Sequence, residues 1–270
     1  LAGDAAVNVE ILRRLVEDDK ALILRRRGPH LELLLGNVVL LSSAALETEL
    51  AFGRLAGAAL ERMPAGARPR VIVGGLGFGA TLRGVLETAP PAAEVVVVEK
   101  LGAVADVARA EAAHLVAGAL DDPRVVLRVA DVADVIAETD AGAAAAILLD
   151  VDNGPDWASF RTNARLYAEP SLVRARQSLA PGGIFAVWSG YPADGFIRVL
   201  RRAGFRPMVE PLRERGVVRA RAYVGVVDAR TPPQDPPDRP PIASAAGGQG
   251  ADRAMESGAP RGRHEVETQP

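Results

Sequence analysis

The sequence predicts an α/β fold built on a mostly parallel sheet with helices on both faces. Two observations carry that prediction. From Arg70 onward, short apolar runs alternate with Ala-, Leu- and Arg-rich stretches of helical composition. The runs are also apolar at successive positions rather than at every second one, as expected of strands covered on both faces.

In order, the runs are Val71-Ile72-Val73, ending in glycines; Val95 to Val98, ending at Glu99-Lys100; and Val125 to Val129, ending at Ala130-Asp131. Ala145 to Leu149 follows and ends at Asp150, and Ile184 to Trp188 emerges from the turn Pro181-Gly182-Gly183. Helical composition fills Thr81 to Glu87, Ala103 to Ala117, Ala133 to Glu138 and Ser159 to Leu179. Arg206 to Arg213 and Arg221 to Val227 flank a polar turn at Glu214 to Gly216 and suit an antiparallel pair at the sheet edge, bringing the strands to seven.

Upstream, Val7 to Val16 has helical spacing, with Val9, Leu12 and Val16 on one face. Ala21 to Arg26, Leu31 to Leu35 and Val38 to Leu41 are short extended pieces punctuated by Gly28-Pro29 and Gly36-Asn37, which form turns. They predict a small β-hairpin unit, and Ala44 to Arg62 returns to helix-forming composition. From Thr231 the chain becomes rich in Pro, Gly, Ala and scattered charge, too poor in large apolar groups to offset its ordering entropy. The expected organisation is therefore residues 1–62 as an N-terminal unit with its connecting helix, 63–229 as a Rossmann-like nucleotide-binding catalytic domain, and 230–270 as a disordered tail.

Composition narrows the classes of partner. A formal net charge of −2 supplies no basic field for nucleic acid. Cysteine is absent, which removes disulfides and thiolate metal sites and suits a reducing cytoplasm. The apolar runs fall well short of the ~20 residues a bilayer requires, and residues 1–20 lack a signal-like apolar region, so a cytoplasmic protein without a membrane partner is expected. The three histidines lie far apart in sequence, with no pair at metal-ligand spacing, and no metal is expected.

The strongest local signal is Gly74-Gly75-Leu76-Gly77-Phe78-Gly79, between a predicted strand and a predicted helix. Glycines are needed there for tight turns at positive φ and for a ligand lying against main chain. Glu99 ends the next strand about 20 residues on, where a carboxylate can bond ribose hydroxyls. Asp131 can accept from an adenine amino group, although an aspartate there can also cap the helix beginning at Ala133. Asp150 ends the fourth run, at the same carboxyl edge. Trp157, Tyr167, Trp188 and Tyr191 fall on or near that edge and suit either a pocket wall or core packing, with core favoured for Tyr167 and Trp188.

Two segments resemble the spermidine synthase family of aminopropyltransferases, a branch of the class I methyltransferase fold. One is Gly74 to Val85, followed by Pro90 and Val-Val-Val-Val-Glu at 95–99. The other is Ile147-Leu148-Leu149-Asp150-Val151-Asp152-Asn153-Gly154-Pro155, continuing through Asn163, Leu166-Tyr167 and Leu179 to Gly183 as far as Trp188-Ser189. Upstream, Leu31 to Leu41 and a helix bearing Glu47 and Glu49 resemble that family's N-terminal β unit and substrate-side helix. The resemblance implies a site for S-adenosylmethionine or its decarboxylated form, with the loop of Gly75, Gly77 and Gly79 around it, Glu99 on the ribose, and Asp131 with Val132 at the adenine. It also implies Asp150 as the catalytic acid site with Asp152 sharing its role, a small-molecule acceptor of the polyamine class, and dimerisation through the β unit. The family's loop acid is replaced here by Leu76 and Phe78, and its Tyr-His pair by the stretch Ala45 to Glu49. Three functions stay open: aminopropyl transfer to an amine, methyl transfer from intact S-adenosylmethionine, and a non-catalytic binding or scaffold role.

Overall fold

The computed structural model describes residues 8–17, 19–151, 154–155 and 161–229. The expected disordered tail, together with Asp152, Asn153 and Trp157, lies outside the described residues. Two sheets organise the rest.

The first sheet is an antiparallel meander of β1 (Val9–Glu17), β2 (Lys20–Arg27), β3 (His30–Leu35) and β4 (Val38–Ser42). The helix expected over Val7 to Val16 is therefore a strand. Its register against β2 shifts between Ile11 and Arg13. Of the three residues on the expected helical face, Val9 and Val16 are exposed, and only Leu12, at the bulge, packs with Leu15 on the core beneath.

After α1 (Glu47–Arg54) and α2 (Ala56–Leu60) comes β5 (Arg70–Gly74), then α3 (Ala80–Thr88), β6 (Glu94–Glu99) and α4 (Gly102–Arg109). The short α5 (Ala113–Val116) and β7 (Val125–Val129) follow. The single helix expected over Ala103 to Ala117 is interrupted at Ala110, whose backbone leaves the helical region. Next come α6 (Val132–Glu138), β8 (Ala144–Leu149), a 3₁₀ segment at Arg161–Tyr167 and α7 (Glu169–Ser178), which begins with Pro170 in its first turn. The chain continues through β9 (Leu179–Ser189), α8 (Asp194–Arg202), β10 (Arg206–Glu214) and β11 (Val217–Val226). Sequence reading missed α8, a short amphipathic helix that buries Phe196 and Leu200 and turns its arginines outward.

The second sheet has seven strands in the order β10-β11-β9-β8-β5-β6-β7. Strands β5 to β9 run parallel where they pair, β11 is antiparallel to β9, and β10 pairs only with β11. This is the expected Rossmann-like class I methyltransferase architecture. Proline stands at 207 and 211 in the edge strand β10. Alternation along the strands feeds two cores: Val71, Val73, Val95, Val97 and Leu148 face α1 to α4, while Ile72, Val96, Val98, Ile147 and Leu149 face α6 to α8. A third core joins Leu22, Leu24, Leu31 and Leu33 of the meander to Val104 and Val107 of α4 and to Phe78. Glu17 of β1 reinforces that contact by accepting the Gly102 and Ala103 amides at 2.6 Å each, capping α4.

Helices α1 and α3 cross with their backbones in contact. A Cβ at Gly53 would fall on the Thr81 carbonyl, and one at Gly84 on the Leu50 carbonyl. In an ordinary helix interior, Gly→Ala stabilises by roughly 0.5–1 kcal/mol. Gly84→Ala should instead destabilise by on the order of 2–3 kcal/mol, read as a lower urea midpoint at unchanged slope.

Candidate functional site

Strand order reverses at β5: β6 and β7 lie to one side of it, β8 and its successors to the other. The crevice beyond the carboxyl ends of β5 and β8 is where an open α/β sheet receives ligands. Gly75, Gly77 and Gly79 line it at φ of +92°, +52° and +80°. A Cβ on Gly75 would collide with the Asp150 carbonyl, so the loop lies directly against the end of β8. Gly79 stands at the start of α3 in the left-handed region. The loop's two larger side chains point away into separate cores, Leu76 into the central one and Phe78 into that of the meander. The loop therefore turns main chain, and no carboxylate of its own, toward the crevice.

Glu99 is buried and holds this loop. One of its carboxylate oxygens accepts the Leu76 amide at 3.0 Å and the other the Leu101 amide at 2.9 Å. Burial pushes its pKa up, and the surrounding amides of Leu101, Leu76, Lys100 and Gly77 recover only part of that rise. Each oxygen keeps acceptor capacity beyond its amide bond.

Asp131 performs the capping role, taking the Ala133 amide at 3.0 Å, and its other oxygen receives Lys100 Nζ at 3.2 Å and Arg165 Nη2 at 2.7 Å. Burial works to raise its pKa, but the Ala133 amide and the two cations outweigh it and the net movement is downward. Val132 is buried in the core beneath β5, its side chain where a Cβ on Gly74 would go. Arg165 had no sequence signal, because its partner lies 34 residues away.

Asp150 continues from β8 toward the face that carries α1 and α3. Its Oδ2 accepts the Thr81 hydroxyl at 2.6 Å. Burial lifts its pKa to about 6, against the downward pull of that bond. Nearby is Glu49 of α1, driven well above the usual carboxylate range by burial, then by the charges of Asp150 and of Glu214 on β10. Glu214 also accepts the Glu47 amide at 3.0 Å, and the Glu47 carboxylate accepts the Arg215 amide at 2.7 Å. The tip of the β10–β11 hairpin is thereby clasped to the first turn of α1. Among the described residues, none of Glu49, Asp150 and Glu214 forms a salt bridge. Thr81 and Glu214 were legible only as a helix residue and a turn residue.

The aromatic residues divide. Tyr167 is core, stacked edge-on to Phe196 at 6.0 Å, and Tyr191 is exposed. Trp188 packs against the central core with its indole N–H buried and without an acceptor among the described residues. No described helix is long and apolar enough to cross a membrane. Among the described residues, no cluster of His, Asp and Glu is arranged to hold a metal ion.

No protein-family model matches the chain, and no curated protein matches it by sequence. Solved structures do. Spermidine synthase from Thermotoga maritima superposes with a TM-score of 0.62 at 16% identity, covering 83% of this chain and 74% of that one. A spermidine synthase in complex with the transition-state analogue AdoDATO gives 0.62 and 16%, covering 80% and 72%. Its fold is that of the spermidine synthases. Human methyltransferase-like protein 13, in complex with SAH, shares the fold more distantly, at a TM-score of 0.51 and 20% identity over 68% of this chain and 83% of that one. Asp150 directly follows the last residue of β8, at the carboxyl edge of this sheet.

The raised pKa of Asp150 has a consequence for stability. Because the folded protein favours its protonated form, its contribution to stability is fully present below the unfolded value near 3.8 and is lost as pH rises through about 6. Asp150→Asn should therefore melt higher than the wild type at pH 8, by up to about 3 kcal/mol of stability, and should converge with it near pH 4. Thermal melts of the two proteins across that range would show the crossover.

Proposed function

We propose that the chain is a transferase of adenosyl-sulfonium donors that moves an aminopropyl group onto an amine acceptor, resembling spermidine synthase. The observation that carries this is the group of acids at the crevice, Asp150, Glu49 and Glu214, which no cation of the described chain neutralises. Holding half-buried carboxylates together is unfavourable unless the ligand brings positive charge. A polyamine does so.

The residues at the loop fit an adenosyl nucleotide. With Leu76 and Phe78 turned into the cores, the loop from Gly75 to Gly79 offers its main chain to the crevice, and Glu99 retains lone pairs for ribose hydroxyls. Asp131 and Val132 would meet the adenine, with Asp131 sharing its carboxylate between that base and its present cations. The bound donor would supply an electrophilic carbon beside its sulfonium and a neutral thioether as leaving group. Asp150 orients the acceptor amine and takes its proton as nitrogen bonds to that carbon and the carbon–sulfur bond breaks toward sulfur. A carboxyl group whose pKa is about 6 is mostly ionised at neutral pH yet more basic than an ordinary aspartate. Asp152, two residues on, would lend a second carboxylate.

A second reading, methyl transfer from intact S-adenosylmethionine, is favoured by the glycine loop. With Leu76 and Phe78 buried, the loop offers no acid to the amine of a decarboxylated donor. Calorimetric titration separates the two: tighter binding of decarboxylated S-adenosylmethionine supports aminopropyl transfer, and preference for the intact form supports the methyltransferase. In the first case, Asp150→Asn should lower kcat by about 10²- to 10⁴-fold while donor Kd stays within about twofold. An unchanged rate would remove Asp150 from the mechanism.

A further inference from the structure

Thr81 is buried in the first turn of α3, and its hydroxyl lies against two acceptors. Asp150 Oδ2 is 2.6 Å away and the Glu49 main-chain carbonyl 3.3 Å. One hydroxyl carries one proton, so it cannot serve both acceptors fully at once. The shorter contact to a carboxylate is the charge-assisted one and takes the proton while Asp150 is ionised. Once Asp150 is protonated, its own O–H can donate to Thr81 Oγ1, and the threonine proton is released to the Glu49 carbonyl. The side chain thus has two hydrogen-bonding states, selected by one proton on Asp150.

We propose that Thr81 is a positioning residue that aims the Asp150 carboxylate at the acceptor and re-aims its own hydroxyl to α1 each time Asp150 is protonated. The proposal deepens the reading of Asp150 as the base and rests on it for its link to turnover. The element reached by the second bond is α1, which carries Glu49 beside Asp150. That helix is held at its other contacts by groups that do not change with the proton: the Gly53–Gly84 crossing and the clasp between Glu47 and the hairpin tip. Thr81 is therefore the one hydrogen-bonded connection among the described residues between Asp150 and α1 that a proton can switch. Proton uptake by the base would tighten the helix bearing a neighbouring acid, and proton release would loosen it. The charged groups facing Asp150 across this contact are Glu49 from α1 and, behind it, Glu214 from β10; Asp152 lies outside the described residues.

The test uses the full-length protein with ¹³C-labelled aspartate and glutamate. The Asp150 carboxyl resonance is identified by its loss in Asp150→Asn. In the wild type it should titrate near pH 6, and the Glu49 carbonyl carbon should shift with the same midpoint. Thr81→Val removes the donor at nearly constant shape, so the Asp150 midpoint should rise to about 7 or above and the Glu49 carbonyl should stop following it. Thr81→Ser should restore both, and Thr81→Ala reads the same loss should the valine variant fold poorly. With the transferase assayed alongside, the acid limb of kcat should move with the carboxyl midpoint in Thr81→Val, giving roughly a five- to sixfold loss or more near pH 6 that largely recovers by pH 9, at unchanged donor KM. A carboxyl midpoint the same in wild type and Thr81→Val, or a Glu49 carbonyl indifferent to it, would overturn the proposal. A displaced midpoint in a protein that transfers nothing would instead refute the transferase reading and leave the Thr81 contact established.

Discussion

The site depends on one steric constraint, the contact between the Gly75 backbone and the Asp150 carbonyl. Two parallel strands at a switch point diverge toward helices on opposite sides, and their carboxyl ends ordinarily separate. Here the loop after β5 doubles back until no Cβ fits between it and the end of β8. The hydrogen bond from the Asp150 amide to the Gly74 carbonyl, 2.8 Å, fixes the two ends together. Glu99 then fastens the far side of the same loop. Main chain, Glu99 and Asp150 are brought to one crevice by that close approach.

Around this constraint the helices divide their tasks. Helix α3 begins at Gly79 and supplies Thr81 to Asp150. Helix α1 lies across it at glycine distance and presents Glu49 beside the same carboxylate. The β10–β11 hairpin, from the far end of the chain, closes over the start of α1 through Glu47 and Glu214. The acids are thus assembled from three remote segments, on a scaffold whose packing is otherwise apolar. The energy stored in crowding them is small beside that of the cores, which Phe52, Val73, Val97 and Leu148 fill without exposure. That balance explains how a fold can carry half-buried, crowded carboxylates that work against its stability at neutral pH.

The sheet was legible because its inner parallel strands β5, β6, β8 and β9 are buried on both faces and read as unbroken apolar runs, and because each run ends in a residue of distinct chemistry. Gly75, Glu99 and Asp150 could be placed at one edge on that pattern alone. The first strand could not, since Val9, Leu12 and Val16 stand at a spacing that a helix would also produce, although two of them face solvent. Contacts made across long sequence separations left no local trace. Glu49 was placed on a helix resembling a substrate-side helix, but nothing local set it beside Asp150, and nothing in Glu214 announced that it would meet Glu47. Asp131 was ambiguous between ligand and cap, and the Ala133 bond with the Lys100 and Arg165 pairs shows a cap already in use.

The two edges of the seven-stranded sheet differ in what they offer another chain. In β10, Pro207 and Pro211 stand four residues apart, on the same side of the strand by its period of two. A proline inside a sheet is tolerated where its missing N–H faces outward, so this edge lacks alternate donors along its free side. Strand β7, at the opposite border, contains no proline and exposes Val126 and Val129. Growth of the sheet by a foreign strand is thus blocked at one border by covalent chemistry and left at the other to solvation alone. A second chain laid along the sheet would therefore meet fewer free donors at β10 than at β7.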